Sequence, residues 1–128
     1  MPHPLIASLN LAPHPEGGWY RETMRQPAPD GGRGLATAIL FLLEEGQRSH
    51  WHRVDATEMW LWHDGAPLTL LIDRTEHVLS GENPQAIVPA SAWQSAEARS
   101  GWALVSCVVT PAFDFVGFEL APPGWSPD

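Results

Sequence analysis

The sequence has little of what marks disulfide-stabilised, nucleic-acid-binding or membrane-spanning proteins. Its single cysteine, Cys107, cannot form an intrachain disulfide and is expected to be a small apolar core residue. Seven Lys and Arg residues against 15 Asp and Glu give a net charge of −8, which argues against a nucleic-acid partner. No apolar run approaches the roughly 20 residues of a membrane span, and the residues Met1-Pro2-His3-Pro4 do not resemble a signal peptide. We therefore expect a cytoplasmic protein with no membrane partner.

The residues that are abundant favour strands over helices. Thirteen prolines and eleven glycines interrupt helices, whereas seven tryptophans suit pleated, half-buried surfaces. A length of 128 residues predicts a single domain, 1–128. Only residues 4–10 have helical spacing, so we expect a short helix within an N-terminal helix and loop, 1–15, and a Pro-rich tail at 121–128.

Nine short segments separated by Gly, Pro, Asp and Asn clusters predict an all-β sandwich or barrel. The predicted strands are 19–25, 35–43, 49–53, 57–63, 68–73, 86–89, 93–96, 102–110 and 115–120. The continuous apolar runs 35–43 and 102–109 predict burial on both faces, against a second sheet or a partner subunit. We therefore expect a homodimer.

Two histidines and a glutamate form the strongest candidate site. His50 and His52 are two residues apart on a predicted strand, so alternation directs both imidazoles to one side. Glu58 opens the next strand, where hairpin pairing would bring its carboxylate opposite them. Such a set suits a divalent Mn, Fe, Ni or Zn ion, or acid–base catalysis without a metal. The alternative is a pair of hydrogen-bonded core imidazoles.

This spacing resembles the first cupin motif. His-x-His is followed by five residues, Glu58, six residues and Gly65, and the loop is one residue longer than in the motif. The second cupin motif resembles residues 89–94, with Gln94 where the fourth ligand, a histidine, belongs. The resemblance implies a metal-ligand set of His50, His52, Glu58 and Gln94, in which the amide is a weaker ligand than an imidazole.

The chain also resembles the DUF985, or cupin 5, family. The matching segments are 11–23, which includes Pro13-His14-Pro15-Glu16-Gly17-Gly18, and 37–43, 49–65, 88–96 and 109–115. The chain departs from the family at Leu61, where a histidine is usual, and at Ala112, where a glycine is usual. The resemblance implies an all-β cupin jelly-roll barrel, a double-stranded β-helix with a short N-terminal helix, and pairing through outer sheets.

Six further residues are candidates for the wall of a barrel pocket. Trp60 and Trp62 share a strand face with Glu58, and Phe113 is placed to close a pocket mouth. The remaining candidates for ligand contact are Glu16, Tyr20 and Gln94. The alternatives are a strand-end role for Gln94 and core packing for the tryptophans. At least one of Gly17 and Gly18 is expected to need a positive φ.

Three functions are compatible with these residues. The first is an enzyme acting on a small polar, carbohydrate-like metabolite by proton transfer or metal-assisted polarisation, with His52, Glu58 and His50 as its catalytic groups. The metal-free version follows the resemblance to sugar-epimerase cupins, which use histidine bases. The others are a non-catalytic module that binds a metabolite in the same pocket, and a structural dimer subunit.

Overall fold

Two antiparallel sheets face each other in the computed structural model, which describes residues 2–127. Met1 and Asp128, the ends of the predicted domain, lie outside the described residues. A helix, α1 (Pro4–Ser8), comes first, and a 3-10 turn, Phe115–Gly117, precedes the last strand. The strands are β1 (Ala12–Pro13), β2 (Trp19–Gln26), β3 (Ala36–Leu43), β4 (Arg48–Val54), β5 (Thr57–Gly65), β6 (Leu68–Ile72), β7 (Thr75–Leu79), β8 (Gln85–Val88), β9 (Gln94–Glu97), β10 (Ala103–Thr110) and β11 (Phe118–Leu120).

The sheets have six and five strands, and strands that are consecutive in the chain often lie in different sheets. The larger sheet has the order β1-β2-β3-β10-β5-β8, and the smaller has the order β11-β4-β9-β6-β7. Crossing back and forth between two facing sheets closes a barrel with one shared interior. The predicted all-β class with a short N-terminal helix is therefore correct.

The strand boundaries follow the sequence prediction closely, with three differences. Residues 115–120 begin with the 3-10 turn, because the Asp114 side chain accepts from the Val116 N–H and caps it at 3.1 Å. Sequence reasoning missed β1, which is two residues long, and β7, which lies at the edge of the smaller sheet. Strand β7 carries Thr75, Glu76 and His77, which lack the apolar alternation of a half-buried strand.

The N-terminal helix is shorter than the predicted 4–10. Pro4 occupies its first turn, where a missing N–H costs nothing, and His3 Nδ1 accepts from the Leu5 N–H at 3.1 Å. The helix ends at Ser8 with Leu9 as its C-cap, and Asn10 turns to a φ of 55°. Among residues 2–127, no helix is long and apolar enough to cross a membrane.

The tail packs on the outside of the smaller sheet. The Trp125 ring centroid lies 4.5 Å from that of Trp93 and 6.5 Å from that of Trp51. The Ala121 N–H donates to the Trp51 carbonyl at 2.9 Å. These contacts hold the segment that follows β11 against strand β4.

The central strands bury one face more deeply than the other. In β10 the inward residues Val105, Cys107 and Val109 are buried, while Leu104 and Val108 on the outer face are half-buried. Within the single chain the outer face of the larger sheet is only partly covered, so burial of 102–109 on both faces requires the predicted partner subunit and stays a prediction.

The barrel interior has two chemically different halves. The first, here called the apolar half, is filled by large side chains that include Phe41, Trp60, Leu68, Leu70 and Leu79, each at most 1% exposed. Burying each such side chain contributes roughly 1.5–3 kcal/mol. The second half is not filled, and it contains the candidate site.

Candidate active site

A cavity of about 400 Å³ occupies the second half of the barrel interior, between the inner faces of the two sheets. Its inner end, here called the floor, is polar, although it is buried. The floor residues are His14, Glu16, His52, Glu58 and Cys107. They come from the loop before β2 and from strands β4, β5 and β10. The volume is near the lower end of the range for small-molecule sites, roughly 300–1,000 Å³.

Two glycines bring Glu16 to the floor. Gly17 has a φ of 105° and Gly18 a φ of 82°, a region that disfavours side chains. A Cβ on Gly17 would overlap the Arg48 carbonyl, and one on Gly18 would lie 2.8 Å from Leu43 Cδ2. The turn therefore needs both glycines, and the loop is joined to β4 by the His50 N–H, which donates to the Glu16 carbonyl at 2.7 Å.

Strand β4 contains a bulge that separates the two histidines of the His-x-His motif. Ser49 pairs with Ala96 and His52 with Gln94, so three steps along β4 oppose two along β9. His52 points to the cavity floor, whereas the His50 imidazole lies outside, with Nε2 2.9 Å from the Pro122 carbonyl. The prediction that the two imidazoles converge is wrong, because the extra residue breaks the alternation on which it depended.

Glu16 and His52 form the central contact of the floor. Glu16 Oε2 lies 3.2 Å from His52 Nε2, and the Ser49 hydroxyl donates to Glu16 Oε1 at 2.9 Å. His52 Nδ1 lies 2.7 Å from the His50 carbonyl oxygen, which can only accept, so Nδ1 carries a hydrogen. Nε2 therefore offers its lone pair to Glu16, and one proton is shared between the two side chains.

His14 lies beside this pair, and one of its two ring nitrogens is already hydrogen-bonded. Its Nδ1 accepts from the Glu16 N–H at 3.1 Å and lies 3.7 Å from Glu16 Oε2. The ring packs edge-on against Tyr20 at a centroid distance of 4.5 Å. Because Nδ1 is an acceptor, Nε2 carries the hydrogen of the neutral ring.

Glu58 is held by a hydrogen-bonded chain that starts in the apolar half. The Trp60 indole N–H donates to Gln94 Oε1 at 2.8 Å, which orients the amide so that Nε2 donates to Glu58 Oε1 at 2.9 Å. The Cys107 side chain also lines the cavity floor. Gln94 therefore positions Glu58 and does not itself line the cavity.

Burial shifts the pKa values of the floor groups towards their uncharged forms. Loss of solvent raises the pKa of Glu16 to about 8, against the opposing hydrogen bond from Ser49. It raises the pKa of Glu58 to about 6, with His52 opposing the shift and Glu16 adding to it. It lowers the pKa of His14 to about 4 and also lowers that of His52. At neutral pH Glu16 holds a proton and Glu58 is mostly ionised.

The open end of the cavity, here called the mouth, is charged and aromatic. Its residues are Glu22, Arg25, Phe113, Asp114 and Phe115. Arg25 Nη2 donates to Glu22 Oε1 at 2.7 Å and to the Phe113 carbonyl at 3.2 Å.

Comparison with known proteins identifies the family. The Cupin_5 family, described as cupin superfamily (DUF985), matches residues 3–121. The chain belongs to this cupin family. A hypothetical protein from Leishmania major is 31% identical, with a TM-score of 0.80 and 91% of this chain and 85% of that chain covered. A protein from Shewanella oneidensis is 36% identical, with a TM-score of 0.80 and 94% and 85% covered.

A more distant cupin shares the fold alone. A cupin-2 domain protein from Rhodospirillum rubrum is 13% identical, with a TM-score of 0.64 and 88% of this chain and 70% of that chain covered. No curated protein matches the chain. The jelly-roll barrel implied by the sequence resemblance is therefore correct.

The cupin cavity brings together some of the predicted site residues and leaves others out. His52, Glu58, Glu16, Tyr20 and Phe113 all line it, as the sequence predicted for their positions. Four predicted members do not line it: His50, Trp60, Trp62 and Gln94. Trp60 and Gln94 lie behind Glu58, whereas Trp62 donates from its indole N–H to the Ala66 carbonyl at 3.0 Å.

Sequence reasoning missed two floor residues of this cupin. His14 was within the family-like segment 11–23 but was not chosen as a site residue, because it lies in a loop where no periodicity indicates direction. Cys107 was expected to be a core residue, and it is buried, yet it also lines the cavity beside Glu58. Its alternation with Val105 and Val109 is the signal that pointed it inward.

The four residues proposed as metal ligands do not converge. His50 faces outward and the Gln94 amide is engaged by Trp60 and Glu58, which leaves His52 and Glu58 of the predicted set. Among residues 2–127, no group of three or more His, Cys, Asp or Glu side chains is arranged to hold a metal ion. The predicted ligand set therefore does not fit a transition metal in this arrangement.

Proposed function

We propose that this cupin is an enzyme that transfers protons on a small polar, carbohydrate-like metabolite bound in the cavity. The observation that carries the proposal is the 3.2 Å contact between Glu16 Oε2 and His52 Nε2. Because the opposite nitrogen of His52 is held by the His50 carbonyl at 2.7 Å, the imidazole can pass protons only through Nε2. Buried groups with displaced pKa values beside a cavity are typical of acid–base sites.

The two carboxyl groups have different roles in this proposal. Glu58, with a pKa near 6, is ionised at neutral pH and takes a proton from the substrate. Glu16, with a pKa near 8, is protonated at neutral pH, and the Glu16 and His52 pair gives the proton that it shares to the substrate on another side. Each turnover leaves one proton more on Glu58 and one fewer on the Glu16 and His52 pair, and exchange with solvent restores both.

Solvent deuterium exchange tests the proposal even while the product is unidentified. Candidate sugars and polyols are incubated with the protein in D₂O, and NMR follows the loss of carbon-bound hydrogen. We expect exchange in at least one compound with the wild type, and its loss in Glu58→Gln and His52→Gln. Glu45→Gln, which changes an exposed carboxylate outside the cavity, is the matched control. Exchange that persists in both cavity variants would contradict the assigned roles.

Binding without chemistry is the rival outcome. If a metabolite raises the melting temperature of the wild type but is neither exchanged nor converted, the cavity is a non-catalytic binding module. The predicted divalent metal also stays a prediction, and the proposed proton transfer does not use it. Elemental analysis of protein purified without a chelating tag tests it, and near-stoichiometric metal would replace the proposed mechanism with a metal-assisted one.

The pH dependence of turnover separates the two carboxyl groups. Glu58 must be ionised and Glu16 protonated, so we expect kcat/KM to rise through about pH 6 and fall through about pH 8. Glu16→Gln has no carboxyl group to titrate, so whatever kcat/KM this variant retains should not fall as the pH rises through 8. A wild-type profile that stays flat from pH 5 to pH 9 would contradict both roles.

A homodimer is also part of the proposal, and a cytoplasmic location remains a prediction. Met24 and Ile87 are exposed on the outer face of the larger sheet, where Leu104 and Val108 are half-buried. A second copy covering this face would bury the apolar surface. Light scattering measures the mass directly, and a monomer at micromolar concentration would contradict the proposal.

A further inference from the structure

Within the described residues 2–127, no arginine or lysine side chain lines the cavity floor. All seven Lys and Arg residues are arginines. Within residues 2–127, only Arg25 lines the cavity, and it lies at the mouth. Its guanidinium is already bound by both carboxylate oxygens of Glu22, at 2.7 and 3.2 Å. An anionic ligand that reached the floor would therefore find no permanent counter-charge.

The floor instead presents carboxyl groups to a ligand. Glu16 and Glu58 are 8% and 6% exposed, and among residues 2–127 no arginine is hydrogen-bonded or ion-paired to either of them. The two imidazoles are uncharged at neutral pH because burial lowers their pKa values. A buried carboxylate is stabilised strongly by a cation that enters the same low-dielectric space. The electrostatics of the floor therefore favour a positively charged ligand group.

One nitrogen on the floor also needs an acceptor from the ligand. His14 Nδ1 is used by the Glu16 N–H, so Nε2 carries the hydrogen, and Nε2 has no partner among residues 2–127. The side chain is only 6% exposed, and no buried polar side-chain atom in this part of the chain lacks a partner. The nitrogen must therefore open onto the cavity, where it can donate to a ligand oxygen.

Aromatic rings line the way from the mouth to the floor. The Phe113 ring centroid lies 4.8 Å from that of Phe115 and 5.6 Å from that of Phe118. Tyr20 packs against His14 deeper in the cavity. Such rings accept the apolar faces of a ring compound and also attract cations through their π electrons.

We infer that the cavity binds a small organic cation carrying hydroxyl groups, such as a protonated amino sugar or amino alcohol, and excludes anionic metabolites such as sugar phosphates. The ammonium group meets the Glu58 carboxylate, and a hydroxyl oxygen accepts from His14 Nε2. This inference deepens the proposed function, because it names the charge class of the ligand of the same site.

Calorimetry with matched ligands tests the inference. Glucosamine, glucose and glucuronate share one ring and are a cation, a neutral compound and an anion, and ethanolamine, ethylene glycol and glycolate repeat the comparison at smaller size. We expect the cation of at least one set to bind tenfold or more tightly than its neutral partner, with no measurable binding of the anion. Equal or tighter binding of the neutral or anionic member, or no binding of either amine at millimolar concentration, would overturn the inference.

Two variants test whether the charge of Glu58 on the cavity floor causes the preference for a cationic ligand. Glu58→Gln keeps the shape of the side chain and removes its charge, so the affinity for the cation should fall at least tenfold while that for the neutral compound changes less than threefold. Glu45→Gln makes the same change in net charge at an exposed site and should leave both affinities unaltered. A cation preference that survives Glu58→Gln in folded protein would overturn the assignment of Glu58.

The binding experiment and the deuterium-exchange experiment can succeed or fail separately. Selective binding of the cation without deuterium exchange would support the inference and contradict the proposed function. Exchange on a neutral or anionic compound that binds best would support the proposed function and contradict the inference.

Discussion

The apolar half and the cavity half share one barrel interior, but burial has opposite effects on stability in the two halves. In the apolar half, side chains such as Phe41 and Leu70 fill the space and contribute to stability. In the cavity half, burial displaces the pKa values of Glu16 and Glu58 and costs stability whenever these groups ionise. The bridge from Trp60 through Gln94 to Glu58 joins the halves, so the packed core holds the Glu58 carboxyl group in place.

The largest loss of stability is expected from disrupting side-chain packing in the apolar half. Trp60→Ala removes a fully buried ring and its hydrogen bond to Gln94, and should lower the free energy of unfolding by about 3–5 kcal/mol. Urea denaturation followed by far-UV circular dichroism measures the loss. Val78→Ala, at an exposed position of β7 in the smaller sheet, is the control. A loss below about 1 kcal/mol for Trp60→Ala would show that this half does not carry the core.

Neutralising Glu58 should raise the free energy of unfolding, whereas Trp60→Ala lowers it. The folded state raises its pKa from 4.5 to about 6, so ionisation at pH 8 costs the native protein about 2 kcal/mol relative to an unperturbed carboxyl group. Glu58→Gln removes this cost, so its free energy of unfolding at pH 8 should exceed that of the wild type by up to about 2 kcal/mol. Glu45→Gln should be neutral. A Glu58→Gln variant that is less stable than the wild type at pH 8 would contradict the stability cost assigned to the ionised Glu58 carboxylate.

Glu16 should dominate the pH dependence of stability above pH 6.5. Its pKa rises from 4.5 to about 8 on folding, so its contribution is complete below pH 4.5 and is lost as the pH rises through 8. His14 has the opposite sign, because its pKa falls from 6.5 to about 4, but its effect ends near pH 6.5. From pH 6.5 to 8 the wild type should therefore lose about 1.5 kcal/mol.

Glu16→Gln provides the comparison for this loss. Its stability should stay nearly constant between pH 6.5 and 8 when measured by urea denaturation at both values. If the wild type and the variant change in parallel, another group carries the pH dependence.

The smallest effect is expected outside the barrel. His50→Ala removes the contact between Nε2 and the Pro122 carbonyl, a single hydrogen bond that is worth about 1 kcal/mol or less. Its effect on deuterium exchange should be far smaller than that of His52→Gln, because the His50 side chain faces away from the cavity. Equal losses of exchange in the two variants would show that the outer histidine takes part in the chemistry.

The two histidines also mark the limit of prediction from sequence. Turn residues and β-branched or aromatic runs were enough to predict strands such as β3 and β5, and the motif spacing was enough to indicate His52 and Glu58. The bulge in β4 was not predictable, because it exists only in the pairing of Ser49 and His52 with β9. For the same reason, His50 was assigned to the wrong side of the sheet.

The sequence by itself determined an all-β cupin barrel, because its turn residues, strand patterns and family motifs are local features of the chain. It also supplied the identities of Glu16, His52 and Glu58. Only the tertiary structure decided that His14 completes the floor, that Gln94 is a bridge to Trp60, and that Glu16 holds its proton to about pH 8. These properties depend on burial and on register between distant strands, which arise only when the two sheets pack together.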